Sequence, residues 1–354
     1  MNYCHTDTIA LFQIIQKFHK EIYELFKIDV TKYPTLPSLT FAIYRSNYME
    51  KDLIANIKGK DHYTLKQSYY GGITETYNCK GYNINSYDVN SLYPASMHDF
   101  DMPVGKPTYF HGDITLSSKS NGDSLPFGFL HVKVTAPLDI NCPALPHRIK
   151  LSNSTIRTVF PVGTWSGWYF SEELRDKLSQ GYTFEVLEGY LFKRGNIFKD
   201  YITELYQMKC SYSSEDPKYL IAKLLMNSLY GRFGLNPEER ETLVVTEDES
   251  EEIIAKNNQV LVTPLLSGKV IVSYSKDVEH TGINNISVPI SSAIAAYSRI
   301  TMNHYLQKYS ENLYAIDTDG IKVNCTLNDN EIDNKKLGKM KYEYTFTEAV
   351  FPAP

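Results

Sequence analysis

Asp317-Thr318-Asp319-Gly320 sets two carboxylates two residues apart where the chain must turn. On extended backbone, residues i and i+2 share a face, so both acids can converge on one hard cation. Asp is also common in plain polar turns, and D-x-D occurs in sugar-nucleotide transferases, so the motif alone fixes no reaction. A third acid, Asp88, sits inside the apolar run 84–89. A lone carboxylate there is costly unless it is paired or meets a metal. Two-metal phosphoryl transfer needs carboxylates from separate elements around ions roughly 3.5–4 Å apart. Asp88 with Asp317 and Asp319 supplies them, and the Val89 carbonyl can add a ligand. Tyr93 follows where its ring can lie under a sugar. The plainer reading is a strand-end Asp capping the next turn, with Tyr93 in the core. A further set, Lys223, Asn227 and Tyr230, is spaced i, i+4, i+7 and so shares one helix face. A cation, an amide and a ring aligned this way suit a nucleoside triphosphate, the lysine meeting phosphate as a point charge. Ile221, Leu224 and Leu225 face elsewhere and can bury. Gly231 permits close approach of another chain. A solvated stripe ending at a glycine cap is an equal alternative.

These residues need elements to position them. Ile9, Phe12, Ile15, Phe18, Ile22, Leu25 and Phe26 predict an amphipathic helix over 8–27. Segment 29–48, with Tyr33-Pro34 and Leu36-Pro37-Ser38, reads as a bend followed by an apolar patch, and Lys58-Gly59-Lys60-Asp61 as a loop. Residues 84–89 read as a strand that stops at Pro94. Alternating runs such as Phe129-Leu130-His131-Val132-Lys133-Val134 lie between Pro and Gly over 100–165, and 183–192 alternate again. Residues 197–231 turn helical. Short strands return over 241–275, interrupted by an acidic run (Glu247-Asp248-Glu249 and Glu251-Glu252) that reads as a solvated turn. A helix over 289–309 opens at Pro289 and Ser291. Apolar runs 313–316 and 321–323 flank D-T-D-G as a hairpin. The sum is mixed α+β, without GxGxxG, Walker loop or internal repeat.

Composition narrows the class. Hydrophobic residues at 42% and charged residues at 22% over 354 positions are ordinary globular values, which excludes a disordered chain, a coiled coil and a collagen. No apolar run approaches the roughly 18–20 residues of a membrane span, and the N-terminus carries no signal-peptide pattern, so no membrane partner is expected. Five scattered Cys without a CxxC pair argue against a zinc site or a disulfide framework and for a reducing compartment. A net charge of −5 runs against nucleic-acid binding. Residues 191–235, however, carry seven Lys/Arg against four Asp/Glu, so the average does not describe the Lys223 region. The 28 Tyr, with abundant Asn, Ile and Lys, hint at an A+T-rich gene, as in organelles or some viruses.

Asp88-Val89-Asn90-Ser91-Leu92-Tyr93-Pro94, Lys223 through Asn227-Ser228-Leu229-Tyr230-Gly231, and Asp317-Thr318-Asp319 together resemble the three polymerase motifs of family B DNA polymerases, in order. Gly320 departs from the more usual Ser. Tyr69-Tyr70-Gly71-Gly72 is similar to the Tyr-x-Gly-Gly element of the protein-primed subgroup, which implies template contact for these residues and Gly231. Lys209 matches an extra triphosphate-contacting lysine. Tyr93, Lys209, Lys223, Asn227 and Tyr230 then handle the incoming nucleotide. The resemblance implies that Asp88, Asp319 and the Val89 carbonyl would hold two Mg²⁺ ions, with Mn²⁺ as a substitute, and Asp317 beside them. Tyr3 and Asp7 resemble a third exonuclease motif.

The resemblance implies a palm-and-fingers core with an antiparallel palm sheet, no thumb, and only the end of an exonuclease domain. The expected boundaries are an exonuclease remnant at 1–30, a linker with the Tyr-x-Gly-Gly element at 31–80, palm at 81–100, and a terminal-protein-type insertion with palm at 101–190. Fingers follow at 191–236, a second insertion at 237–280, and palm at 281–354. The chain is read as cut at both ends. Implied partners are primer-template DNA, deoxynucleoside triphosphates and a terminal priming protein, with a monomeric polymerase in a mitochondrion; a viral or cytoplasmic-plasmid origin is the alternative. The rivals are a non-catalytic relic that retains DNA binding, and a D-x-D glycosyltransferase, which leaves the Lys223 helix and Ser91-Leu92-Tyr93-Pro94 unexplained.

Overall fold

The computed structural model describes residues 2–112, 125–152, 155–235, 240–257, 260–275 and 287–352. Contacts divide the chain into two units, Met1–Phe233 with Ser287–Pro354, and Gly234–Ile286. The first unit opens with α1 (Asn2–Phe26), which buries Ile22 and Phe26 and leaves Ile9, Phe12 and Ile15 exposed. The apolar patch after it is a helix, α2 (Leu36–Asn47), and not merely the end of a bend. Thr35 and Ser38 form a reciprocal capping box with Pro in the first turn, so the residues that suggested a bend are a helix start. The expected loop at Lys58 is likewise the entry to α3 (Gly59–Lys66). After β1 (Thr74–Thr76), strand β2 (Lys80–Val89) stops before the proline. Pro94 lies in the first turn of α4 (Leu92–Asp99), where its missing N–H costs no helix bond.

A run of strands follows: β3 (Met102–His111), β4 (Gly128–Ala136), β5 (His147–Lys150), β6 (Ile156–Val159) and β7 (Gly163–Phe170). Next come α5 (Ser171–Leu178), β8 (Thr183–Gly195), α6 (Lys199–Ser211) and α7 (Pro217–Phe233). One antiparallel sheet has the order β3-β8-β4-β7, and β5 and β6 pair as a separate hairpin. In the second unit, β9 (Arg240–Thr246), β10 (Leu261–Pro264) and β11 (Lys269–Ser275) form an antiparallel sheet of order β10-β11-β9. The acidic run is no turn but α8 (Glu247–Lys256), started by a Thr246/Glu249 capping box. Its acids sit where the helix dipole favours negative charge.

The first unit closes with α9 (Val288–Lys308), β12 (Leu313–Asp317), β13 (Gly320–Val323) and β14 (Met340–Val350). These strands join β1 and β2 in an antiparallel sheet of order β1-β12-β13-β2-β14. Helix α9 is buried nearly all round, its Ile290, Ile294 and Tyr297 meeting Leu225, Leu229 and Phe233 of α7 in one apolar cluster. Its Met302 and Leu306 join Val89, Ile316 and Ile321 of the sheet in a second cluster. One helix thus ties the helical layer to the sheet. Contrary to expectation, Leu224 is exposed; α7 buries Ile221, Leu225 and Leu229, and leaves Lys223 and Asn227 open. Gly231 does not cap α7, which continues to Phe233, and a Cβ there would meet nothing within 4 Å. Among the described residues, no helix is long and apolar enough to cross a membrane.

Candidate active site

The hairpin β12–β13 turns on Thr318 and Asp319, with Thr318 at a positive φ of 56°. Gly320 stands opposite Asp88 on β2, and the Val89 N–H donates to the Asp319 carbonyl at 2.8 Å. That register brings together two acids separated by most of the chain. Burial, then Asp319 and Glu343, push the Asp88 carboxyl up to about 6. Burial and the neighbouring Asp317 raise Asp319 too. Like charges held together in a low-dielectric pocket resist ionising without a counter-cation.

Glu343 escaped the sequence reading. It is the extra residue of a bulge in β14, where Tyr342 pairs with Tyr87 and Tyr344 with Ser86. The Ser86 hydroxyl donates to Glu343 Oε2 at 3.2 Å and accepts from Lys322 Nζ at 2.8 Å. Residue 343 of a regular strand would occupy the next ladder position, so only the bulge places it here.

These acids line a cleft of about 770 Å³. Val89 and Tyr93 lie on it too, with Lys209 of α6 and Lys223 and Asn227 of α7, and Lys341 of β14 also lines it. Burial, then the Lys223 charge, lower the Lys209 ammonium, whose Nζ sits 5.8 Å from the Tyr219 ring centroid. Two crowded lysines gain from an anion between them, as two crowded carboxylates gain from a cation. The cleft therefore has an acidic pole and a basic pole.

Other expected residues do not line this surface. Tyr230 stacks on Tyr93 (4.3 Å between centroids, 11° between planes) and does not line the cleft. Tyr69 donates to the Tyr230 hydroxyl at 3.0 Å. Asp317 is also absent from the lining and accepts from the Thr74 hydroxyl at 3.2 Å. Gly72 is required by packing, since a Cβ would lie 2.8 Å from Thr318 Cγ2. Gly71 has open space around it, and Tyr70 is buried. Asp7 is exposed on α1, remote in sequence from the cleft, and the Tyr3 side chain lies outside the described residues.

The donor atoms at the acidic pole are carboxylate oxygens, which suit Mg²⁺ or Mn²⁺. Among the described residues, no three Asp, Glu, His or Cys side chains form a closed ligand cage. Mg²⁺ needs none, because it keeps several waters and takes one or two protein carboxylates. Asp88 and Asp319 meet that requirement.

A family model described as DNA polymerase type B, organellar and viral, matches residues 1–312. The chain belongs to this family. It is 53% identical over 350 residues to a "Probable DNA polymerase" of Neurospora intermedia, covering 98% of this chain and 36% of that one. A "Probable DNA polymerase" of Ascobolus immersus is 49% identical, covering 100% and 29%. The DNA polymerase of Bacillus phage Nf is 26% identical over 277 residues, covering 74% and 43%. The chain spans about a third of the length of the fungal relatives. Among solved structures, phi29 DNA polymerase in an orthorhombic crystal form shares the fold at a TM-score of 0.68 and 20% identity, over 89% of this chain and 53% of that one. The same polymerase complexed with primer-template DNA and incoming nucleotides gives 0.65 at 22% identity, over 89% and 53%. The family B resemblance and the α+β fold with antiparallel sheets are thereby borne out.

Proposed function

We propose that this chain is the nucleotidyl-transfer core of a DNA-directed DNA polymerase, extending a primer 3′-hydroxyl with deoxynucleotides. The observation that carries the reading is that one cleft is lined by Asp88 and Asp319, by Tyr93, and by Lys209, Lys223 and Asn227. Divalent cations, when bound, supply Lewis-acid charge to the reacting oxygens. Asp88 and Asp319 would hold them, with the Val89 carbonyl at hand and Glu343 near Asp88. Lys223 and Lys209 balance the triphosphate, and their fixed positions spare the reaction a reorganisation of solvent. Tyr93, backed by Tyr230, presents its ring to the sugar. Asn227 offers an amide one helical turn from Lys223.

Several finer assignments belong to the same proposal. The fingers comprise 191–236, and the palm is assembled from 81–100 and 281–354. Segment 101–190 combines an insertion that serves priming by a terminal protein with further palm, and 237–280 is a second insertion that serves strand displacement. Residues 1–30 belong with an exonuclease domain. The polymerase works as a monomer on organellar or viral linear DNA. Support comes from the family match and from the shared fold of phi29 DNA polymerase, which has been solved in complex with primer-template DNA and incoming nucleotides. The decisive experiment is extension of a labelled primer-template by the purified chain with Mg²⁺ and all four deoxynucleotides. Template-directed extension that disappears with Asp319→Asn is expected. Absence of extension at any Mg²⁺ or Mn²⁺ concentration, with DNA binding intact, would leave only the non-catalytic reading.

A further inference from the structure

The turn 67–72 is held by two arginines from different elements. Arg148, on β5, donates through Nη1 to the Gln67 carbonyl at 2.7 Å and through Nη2 to the Tyr69 carbonyl. Its guanidinium carbon also lies 4.2 Å from the Tyr70 ring centroid. Arg299, on α9, donates through Nη1 to the carbonyls of Tyr70 at 2.9 Å and Gly71 at 2.7 Å. Arg299 is fixed in turn by Glu173 on α5, with Nε–Oε1 and Nη2–Oε2 both at 2.6 Å, and both residues are 1% exposed. Four carbonyls of an irregular turn are thus met by charged, directional donors. The Tyr70 ring stacks on Tyr169 (5.6 Å, 11°), whose hydroxyl donates to the Pro146 carbonyl next to β5 at 2.8 Å. So the hairpin β5–β6 grips the turn through the Arg148 side chain, on two carbonyls and on the face of the Tyr70 ring, while Tyr169 of β7 backs that ring from its own contact with Pro146.

What the turn carries is Tyr69. Its hydroxyl meets Tyr230, Tyr230 stacks on Tyr93, and Tyr93 lines the cleft. We propose that Arg148 is a positioning residue for the nucleotide side of the cleft: by clamping turn 67–72 it keeps Tyr69 on Tyr230 and so fixes the seat of Tyr93. The inference rests on the polymerase reading and adds to it a residue outside the cleft. A merely structural Arg148 would anchor the hairpin, and its loss would lower all activity in proportion. A positioning Arg148 sets how closely Tyr93 crowds the sugar, and its loss changes the choice between sugars.

The test compares the parent with Arg148→Ala, Arg148→Lys and, as a control on the exposed end of the same strand, Lys150→Ala. Two quantities are measured in the whole chain: hydrogen–deuterium exchange of peptides covering 65–76 and α9, and the ratio of kcat/KM for ribonucleotides to that for deoxynucleotides. For Arg148→Ala, exchange at 67–72 should speed up roughly tenfold, as expected for losing a charged hydrogen bond, with α9 unchanged. KM for deoxynucleotides and the ribonucleotide ratio should both rise. Arg148→Lys, which keeps the charge but not the planar fork, should fall between, and Lys150→Ala should match the parent. Should Arg148→Ala fail to fold, Arg148→Lys decides by the same readouts. Unchanged exchange at 67–72, or a ratio that stays fixed while all rates fall together, would overturn the proposal. If the parent incorporates no nucleotide, the polymerase reading fails by itself, and the exchange arm still judges the clamp.

Discussion

Asp88 gives up its proton reluctantly because it is buried beside Asp319 and Glu343. A cation bound there would recover that cost, so under the proposed reading the same residue bears on both catalysis and stability. Asp88→Asn and Asp319→Asn should each lower single-nucleotide incorporation by at least about a hundredfold, through loss of cation ligands. Incorporation within tenfold of the parent, at equal folding, would remove them from the site. The sign of the pH effect follows from the direction of the shift. The folded Asp88 titrates near 6 against an ordinary 3.8, so the folded state binds more protons between these values. Its contribution to stability therefore falls as pH rises through that window and stays lower above it. Asp88→Asn should accordingly stabilise the metal-free protein at pH 7, on the order of 1 kcal/mol once access of solvent to the site is allowed for, and not at pH 4. Urea denaturation at the two pH values in chelator checks this. Tyr93 makes a different prediction. Its ring lies on the cleft and rests on Tyr230, so Tyr93→Val should raise ribonucleotide use relative to deoxyribonucleotide use. An unchanged ratio would make it a core residue only.

At the scale of elements, α6 and α7 bring Lys209 and Lys223 to one wall. Lys223→Ala should weaken transition-state binding of the triphosphate by about 2–5 kcal/mol if the phosphate is desolvated there, and Lys209→Ala should do so less severely. Steady-state kinetics of deoxynucleotide incorporation measure both. Unaltered kcat/KM in the Lys223 variant would take α7 out of the nucleotide site. The opposite face of α7 holds the helix in place: Leu225 is fully buried among α2, α6 and α9 residues. Leu225→Ala should cost about 2–5 kcal/mol in urea unfolding, as a large-to-small core change. Much at this scale was legible from local signals. The D-T-D-G hairpin, the strand before Asp88, and α9 all follow from periodicity and turn residues. The errors have physical causes. Thr35-Leu36-Pro37-Ser38 and Thr246 with Glu249 are helix starts, but Pro and a dense acidic run also mark turns, and the caps decide between them only once the following residues pack. The bulge that swings Glu343 toward Ser86 leaves no mark in an alternating strand, because it depends on register against β2.

For the molecule as a whole, the cleft draws residues from β2, α4, α6, α7, β14 and the hairpin turn, and α9 fastens these parts into one core. Ligand binding to the folded state alone raises stability by mass action. Millimolar Mg²⁺ or Mn²⁺ should therefore raise the melting temperature of the parent at pH 7 and shift Asp88→Asn little. Equal shifts in both would place the cation elsewhere. The sequence by itself determined the family and which reactive groups are at hand: the acids Asp88, Asp317 and Asp319, a lysine and an amide on one helix face, and a motif order that residue types alone can carry. Such features are local, since side-chain spacing and turn residues survive without knowledge of the partner elements. Only the tertiary structure decided which of these residues meet. It put Asp319 beside Asp88 and left Asp317 with Thr74. It set Tyr230 behind Tyr93 rather than on the cleft, added Glu343 and Lys341, and hung turn 67–72 on Arg148 and Arg299. Each of these depends on strand register, a bulge or packing between segments far apart in the chain, and those are settled only when the core around α9 closes.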